Sequence, residues 1–166
     1  MLIDADLRLP TVGKSFFKNA PHVGVVDVIA AQTTLLKAVR STDVENLTVL
    51  TAGNRAPNPA ELLAGEGFGN LIKEALLHYD RIVIDSAPVN AVSDTLLLVK
   101  SISSVCLVVQ AAKTPRKAVL RAYNKLAQAG SPPVGFVLNR LPLHSGVGYY
   151  YYYSSGKYGE GVYGAP

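Results

Sequence analysis

The chain has 166 residues, 49% of them apolar and 17% charged, with a net charge of +4 and one cysteine, Cys106. That length supports one domain with a real core, and the balance excludes wholesale disorder, a disulfide framework and a cysteine-based zinc site. No apolar run approaches the ~18 residues of a membrane helix, no signal peptide is apparent, and the scattered basic residues imply no nucleic-acid partner.

In chain order, residues 1–4 read as a buried strand ending in Asp4. A short helix is expected over 25–32, behind a His-Val-Gly turn, and a β-rich run over 47–51. Pro59 follows Asn58, a cap and a first-turn proline for a helix over 59–64. Apolar residues at 68, 71, 72, 75 and 76 have helical spacing over 68–78. Residues 81–85 (RIVID) form a β-branched run ending in Asp85. A helix over 93–100 opens with Ser-Asp. A strand over 104–110 carries Cys106 mid-strand, expected as a small buried hydrophobe. The clearest helix spans 114–129, with Thr114 as cap, Pro115 at its first position and Gly130 as its end. Arg116, Lys117, Arg121 and Lys125 give it a solvated basic face. A last strand is expected over 134–139.

Continuous apolar strands alternating with helices predict an α/β fold. It would have a mostly parallel sheet of about five strands with helices on both faces. Residues 143–166 differ. They hold seven tyrosines, six glycines and three serines with no strand or helix period, and are expected to form a mobile tail beside a folded body of residues 1–142.

In an open parallel sheet, ligands gather beyond the carboxyl ends of the strands. Two strands here end in acid, at Asp4-Ala5-Asp6 and at Asp85. Three carboxylates at strand ends suit Mg²⁺, a hard ion that prefers oxygen ligands and phosphate. Gly13-Lys14-Ser15 looks like the tail of a phosphate-binding loop but fails the motif, because Arg8 stands where glycine is required. It reads as a solvated surface segment. His22, His78 and His144 show no metal spacing.

The residues together carry a resemblance. Residues 2–10 (LIDADLRLP) resemble the second Walker motif of the bacterial tyrosine kinases, and residues 58–63 (NPAELL) resemble their PNPxELL segment. Residues 79–89 (YDRIVIDSAPV) are similar to their Walker B stretch, and 134–140 to the strand ending in Asn-Arg. Tyr149, Tyr150, Tyr151, Tyr152, Tyr153, Tyr158 and Tyr163 resemble their C-terminal tyrosine cluster. The aspartate motifs also occur in MinD/ParA-like ATPases, so an ATPase that phosphorylates no protein stands as an alternative. A catalytically inactive phospho-acceptor or adaptor stands as another.

The resemblance implies a P-loop NTPase fold and a tyrosine autokinase of exopolysaccharide and capsule export, using ATP and Mg²⁺. Asp6 and Asp85 would hold Mg²⁺, and Asp4 would orient or deprotonate the incoming tyrosine hydroxyl, with the roles of Asp4 and Asp6 open to exchange. Asn139 would bond the adenine edge, with Arg140 beside the base. The seven tail tyrosines would be the acceptors, phosphorylated by a neighbouring copy. Implied partners are other copies of the kinase domain, a membrane-embedded polysaccharide co-polymerase and a phosphotyrosine phosphatase. The implied location is the cytoplasm, at the inner face of the membrane through a fused or separate membrane partner. The family's first Walker motif, with its strand, loop, lysine and following helix, has no counterpart before residue 1. The resemblance therefore implies an N-terminally truncated domain with one central strand position unfilled.

Overall fold

The structure is a computed structural model that describes residues 1–19 and 21–141. The expected tail, with its seven tyrosines and His144, lies outside the described residues.

Strand β1 (Leu2–Asp4) is the centre of the larger sheet. Helices α1 (Val12–Phe16), α2 (Val25–Ile29) and α3 (Leu35–Ala38) follow it, then strands β2 (Arg40–Ser41) and β3 (Thr48–Leu50). Next come α4 (Pro59–Ala64), α5 (Glu66–His78), β4 (Val83–Asp85) and α6 (Asp94–Leu98), which runs on into a 3₁₀ turn over Val99–Ser101. Strand β5 (Cys106–Gln110), helix α7 (Arg116–Gln128) and strand β6 (Gly135–Asn139) complete the order.

The larger sheet has the order β2-β3-β1-β4, with β1 parallel to both β3 and β4 and β2 antiparallel at the edge. Leu2 pairs with Val49 and Val83, Ile3 with Leu50 and Ile84, and Asp4 with Asp85. Strands β5 and β6 form a separate parallel pair. Among the described residues the single sheet of about five strands is thus corrected to six strands in two sheets, because no hydrogen bond joins β4 to β5.

Two apolar clusters match the two sheets. The main one gathers Ile3, Leu35, Leu50, Phe68, Leu71, Ala75 and Leu98. The smaller one holds Val89, Val99, Ala122 and Leu126. Helix α5 buries the face carrying Phe68, Leu71, Ile72 and Ala75, four of the five positions whose spacing predicts it, while Leu76 stays exposed.

Cys106 is exposed rather than buried. It lies on β5, whose one partner strand among the described residues is β6. The expected cap of α7 also differs. Pro115 is the N-cap residue, and the Thr114 hydroxyl instead accepts the Gln110 N–H at 3.1 Å. Asn58 likewise caps nothing with its side chain and donates to Glu61 at 3.1 Å. Among the described residues, no helix is long and apolar enough to cross a membrane.

Candidate functional site

The site begins with two neighbouring strand ends. Parallel register sets Asp4 beside Asp85, so both side chains leave the same face of the sheet at its carboxyl edge. The Ala5 N–H donates to the Asp85 carbonyl at 2.8 Å and extends that pairing one residue further.

Asp4 is fully buried. Its Oδ2 accepts the Val12 N–H at 3.0 Å, one of the orphan donors at the start of α1, where Thr11 provides no side-chain cap. Its Oδ1 is buried with no partner among the described residues. Burial raises the Asp4 carboxyl from 3.8 to about 6, and the charges of Asp85 and Asp6 push the same way against the Val12 hydrogen bond. Asp85 is also raised, first by burial and then by the charge of Asp6.

Asp6 sits in the turn beyond β1. Its Oδ1 accepts the N–H groups of Arg8 at 3.2 Å and Leu9 at 3.0 Å, an Asx-type turn that fixes the carboxylate against its own backbone. The next constraint was not visible in the sequence. Arg8 grips Asp94 with two parallel bonds, Nε to Oδ2 at 2.7 Å and Nη2 to Oδ1 at 2.9 Å. Asp94 is 1% exposed and opens α6. The fork therefore ties the turn carrying Asp6 to the segment after Asp85, and a bidentate fork fixes orientation as well as distance. Thr95 braces the same segment, its hydroxyl donating to the Ala87 carbonyl at 2.5 Å. The Ser-Asp start of α6 marks a helix, but no one-dimensional signal says that Asp94 turns inward to an arginine 86 residues earlier.

Asn139 and Arg140 end β6 in the other sheet. The Asn139 carbonyl accepts the Ala111 N–H at 2.8 Å, and the Asn139 Oδ1 accepts the Arg140 N–H at 2.8 Å. Arg140 takes φ 55°, a left-handed conformation rare outside glycine. Among the described residues, no hydrogen bond or ion pair joins these two to the carboxylates. Gly13-Lys14-Ser15 lies within α1, where the Ser15 hydroxyl donates back to the Thr11 carbonyl at 3.1 Å. It forms no anion-binding loop.

The donor set fits a hard divalent cation. Asp85 and Asp6 offer carboxylate oxygens, and the unpartnered Oδ1 of Asp4 faces no protein donor. Among the described residues no group of three or more His, Cys, Asp or Glu is clustered tightly enough to hold a metal ion alone. A Mg²⁺ here would take one or two carboxylates and complete its shell with water and phosphate, its usual mode. A backbone cradle for the phosphates themselves is absent from the described residues.

No family model matches the chain. The chain is 39% identical over 154 residues to the putative tyrosine-protein kinase CapB of Staphylococcus aureus, covering 92% of itself and 67% of that protein. The solved VpsO kinase domain superposes with a TM-score of 0.80 at 38% identity, over 84% of this chain and 69% of that one. The septum site-determining protein MinD of Pyrococcus horikoshii, solved with Mg-ADP, shares the fold at a TM-score of 0.68 and 22% identity, over 85% of this chain and 57% of that one. The chain thus spans about two thirds of the curated relative. The strand-end aspartates, the mostly parallel sheet and these likenesses agree: the chain belongs to the bacterial tyrosine-protein kinases of capsule and exopolysaccharide biosynthesis, on a MinD/ParA-like P-loop NTPase fold.

Proposed function

We propose that residues 1–142 supply the carboxylate half of a tyrosine autokinase site that serves polysaccharide export, and that residues 143–166 are its substrate. The observation that carries this is the buried, unpartnered Oδ1 of Asp4 beside Asp85. A carboxylate buried at that cost needs a ligand or a proton to handle.

Phosphoryl transfer needs charge neutralisation and an aligned acceptor more than covalent chemistry. When bound, Mg-ATP supplies the phosphoryl group and the cation that shields its charge. Asp6 and Asp85 hold that cation, directly or through water. Asp4 Oδ1 accepts the hydrogen of the incoming tyrosine hydroxyl, and a carboxyl near 6 is still largely ionised at pH 7 while basic enough to take a proton. Two backbone N–H groups already occupy the Asp6 Oδ1 while the Asp4 Oδ1 has no donor, which favours Asp6 for the metal and Asp4 for the proton. The Arg8–Asp94 fork keeps both loops in register. Asn139 and Arg140 are the proposed contacts to the adenine.

The acceptors are Tyr149–Tyr153, Tyr158 and Tyr163, phosphorylated by another copy. Each phosphate adds about −1.5 to −2 charges. Modification of several would turn a chain of net charge +4 acidic and drive copies apart. A membrane-embedded co-polymerase and a phosphotyrosine phosphatase complete the proposed cycle at the inner face of the membrane. The test mixes this chain with Mg-ATP and the intact relative from Staphylococcus aureus, then maps phosphate by mass spectrometry. Phosphate is expected on the tail tyrosines and lost when all seven are phenylalanine. Phosphate chiefly on Tyr79 and Tyr123, or none, contradicts the reading.

A further inference from the structure

Charge is divided along the chain. Residues 1–94 hold eight Lys and Arg against eleven Asp and Glu. Residues 95–141 hold seven Lys and Arg and no acid at all. That second stretch contains β5, α7 and β6, so the small sheet and its helix form a cationic part beside a weakly acidic one. The net charge alone hides the field that such a division sets up.

Packing decides which of these cations face outward. Lys125 turns inward, its Nζ donating to the Val89 carbonyl at 3.2 Å, and Asn90 donates to the Ala118 carbonyl on the same flank of α7 at 2.8 Å. Ala122 and Leu126 are buried in the smaller core. With about 100° between successive helix residues, Leu120 falls near the middle of the exposed arc. Arg116 and Tyr123 lie on one side of it, Lys117 and Arg121 on the other. Among the described residues, Arg116, Lys117 and Arg121 have no ion-pair partner.

Strand β6 widens this surface. Parallel register sets Phe136 beside Leu107 and Leu138 beside Val109. Their side chains therefore leave the same face as Leu107, which packs against the core under α7. Phe136 and Leu138 are nevertheless more than half exposed, and Leu120 is half exposed. The inner flank of α7 rests on Val89 and Asn90, so these side chains extend its outer flank. That flank lies across β5 from the division between the two sheets.

The chemistry selects the occupant. Aliphatic and aromatic side chains beside unpaired cations on one convex face, with no acid among them, match the interface of an anionic bilayer. A phosphotyrosine peptide calls for arginines that close as a fork on one phosphate, whereas these cations are spread around the outside of a helix. A nucleic-acid backbone would leave Phe136 and Leu138 unmatched.

We propose that the outer face of α7 and β6 docks on an anionic lipid bilayer. Leu120, Phe136 and Leu138 enter the headgroup boundary, while Arg116, Lys117 and Arg121 meet lipid phosphates. This part of the chain lies on the bilayer and does not span it. The inference goes beyond the kinase reading, since it needs no nucleotide, no phosphate transfer and no membrane-embedded partner.

The experiment mixes the 166-residue chain with vesicles, either of phosphatidylcholine alone or of phosphatidylcholine and phosphatidylglycerol in equal parts, and measures the protein that sediments with them. Binding is expected to the anionic vesicles only, and is expected to weaken as salt rises. Each surface cation strengthens such binding about fivefold, so Arg116→Gln, Lys117→Gln and Arg121→Gln together should weaken it about a hundredfold. Leu120→Gln should weaken it about fivefold. Lys14→Gln, Lys18→Gln and Lys37→Gln together remove the same charge elsewhere and should change binding less than about threefold. All these positions are exposed, where substitution leaves the fold intact. No preference for the anionic vesicles, or an equal loss in the two triple variants, overturns the proposal. Binding lost on Tyr149→Ser through Tyr153→Ser, yet kept in the α7 triple variant, overturns it in favour of the tail. Tighter binding to a phosphotyrosine peptide or a short DNA duplex than to the vesicles overturns it in favour of that partner.

Discussion

One oxygen of Asp4 secures the start of α1 and the other meets no donor, so a single residue carries both a structural and a chemical load. Its carboxyl rises from 3.8 to about 6 on folding, chiefly through burial. The folded state therefore binds more protons than the unfolded one between about pH 4 and pH 6. The sign follows. Asp4's contribution to metal-free stability is greatest below about pH 4, falls as pH rises through that window, and above it is a penalty of about 3 kcal/mol at most. Asp4→Asn keeps an acceptor for Val12 and removes the charge. In EDTA it should raise stability at pH 7 by about 1–2 kcal/mol and remove most of the decline between pH 4 and 6, leaving a smaller slope from Asp85. Urea unfolding at a series of pH values checks this. A variant less stable than the parent, with the slope intact, contradicts the assigned environment. The aspartates themselves were legible from their places after apolar runs. Arg8 stood in plain view within the LIDADLRLP stretch, but its partner did not, because the ion pair forms only when α6 folds back beside the turn.

At the scale of elements, sequence and structure agree where local propensity and burial point the same way. Helix α4 is expected over 59–64 and spans Pro59–Ala64, and α5 and α7 differ by two residues or fewer at each end. The cores of β1 and β4 were legible from apolar runs ending in Asp, and those of β3, β5 and β6 from apolar runs alone. The short pieces α1, α3 and β2 were not, since each has two to five residues and takes its conformation from packing. Gly67 shows that packing at close range. A Cβ built there would lie 2.4 Å from the Ile29 carbonyl oxygen, so α5 touches the end of α2 through bare backbone. Helix propensity favours alanine over glycine by about 1 kcal/mol, but overpacking costs about 1–3 kcal/mol. The clash should win: Gly67→Ala is expected to lower stability by about 1–2 kcal/mol in chemical unfolding. A stabilised variant would show that the two helices are free to separate.

For the whole molecule, the decisive feature is a sheet in two parts with the carboxylate cluster at the strand ends beside the gap. The sequence made the α/β class readable through strand–helix alternation, but it implied one sheet. The separation of β4 from β5, and the exposure of Cys106 that goes with it, depend on which edges find partners in three dimensions. Asn139 and Arg140 sit across that division from the aspartates, so a shared nucleotide would have to bridge both parts. Among the described residues no cationic side chain pairs with Asp4, Asp6 or Asp85, and this is the feature on which the account depends. It is tested most directly by titrating the chain with Mn²⁺, as a paramagnetic substitute for Mg²⁺, and counting free ion by electron paramagnetic resonance. The account predicts one site with a dissociation constant of about a millimolar, near −4 kcal/mol, lost on Asp85→Asn and weakened on Asp6→Asn. Equal binding by the parent and by both variants, or none by the parent at ten-millimolar ion (about −2.7 kcal/mol), would contradict it.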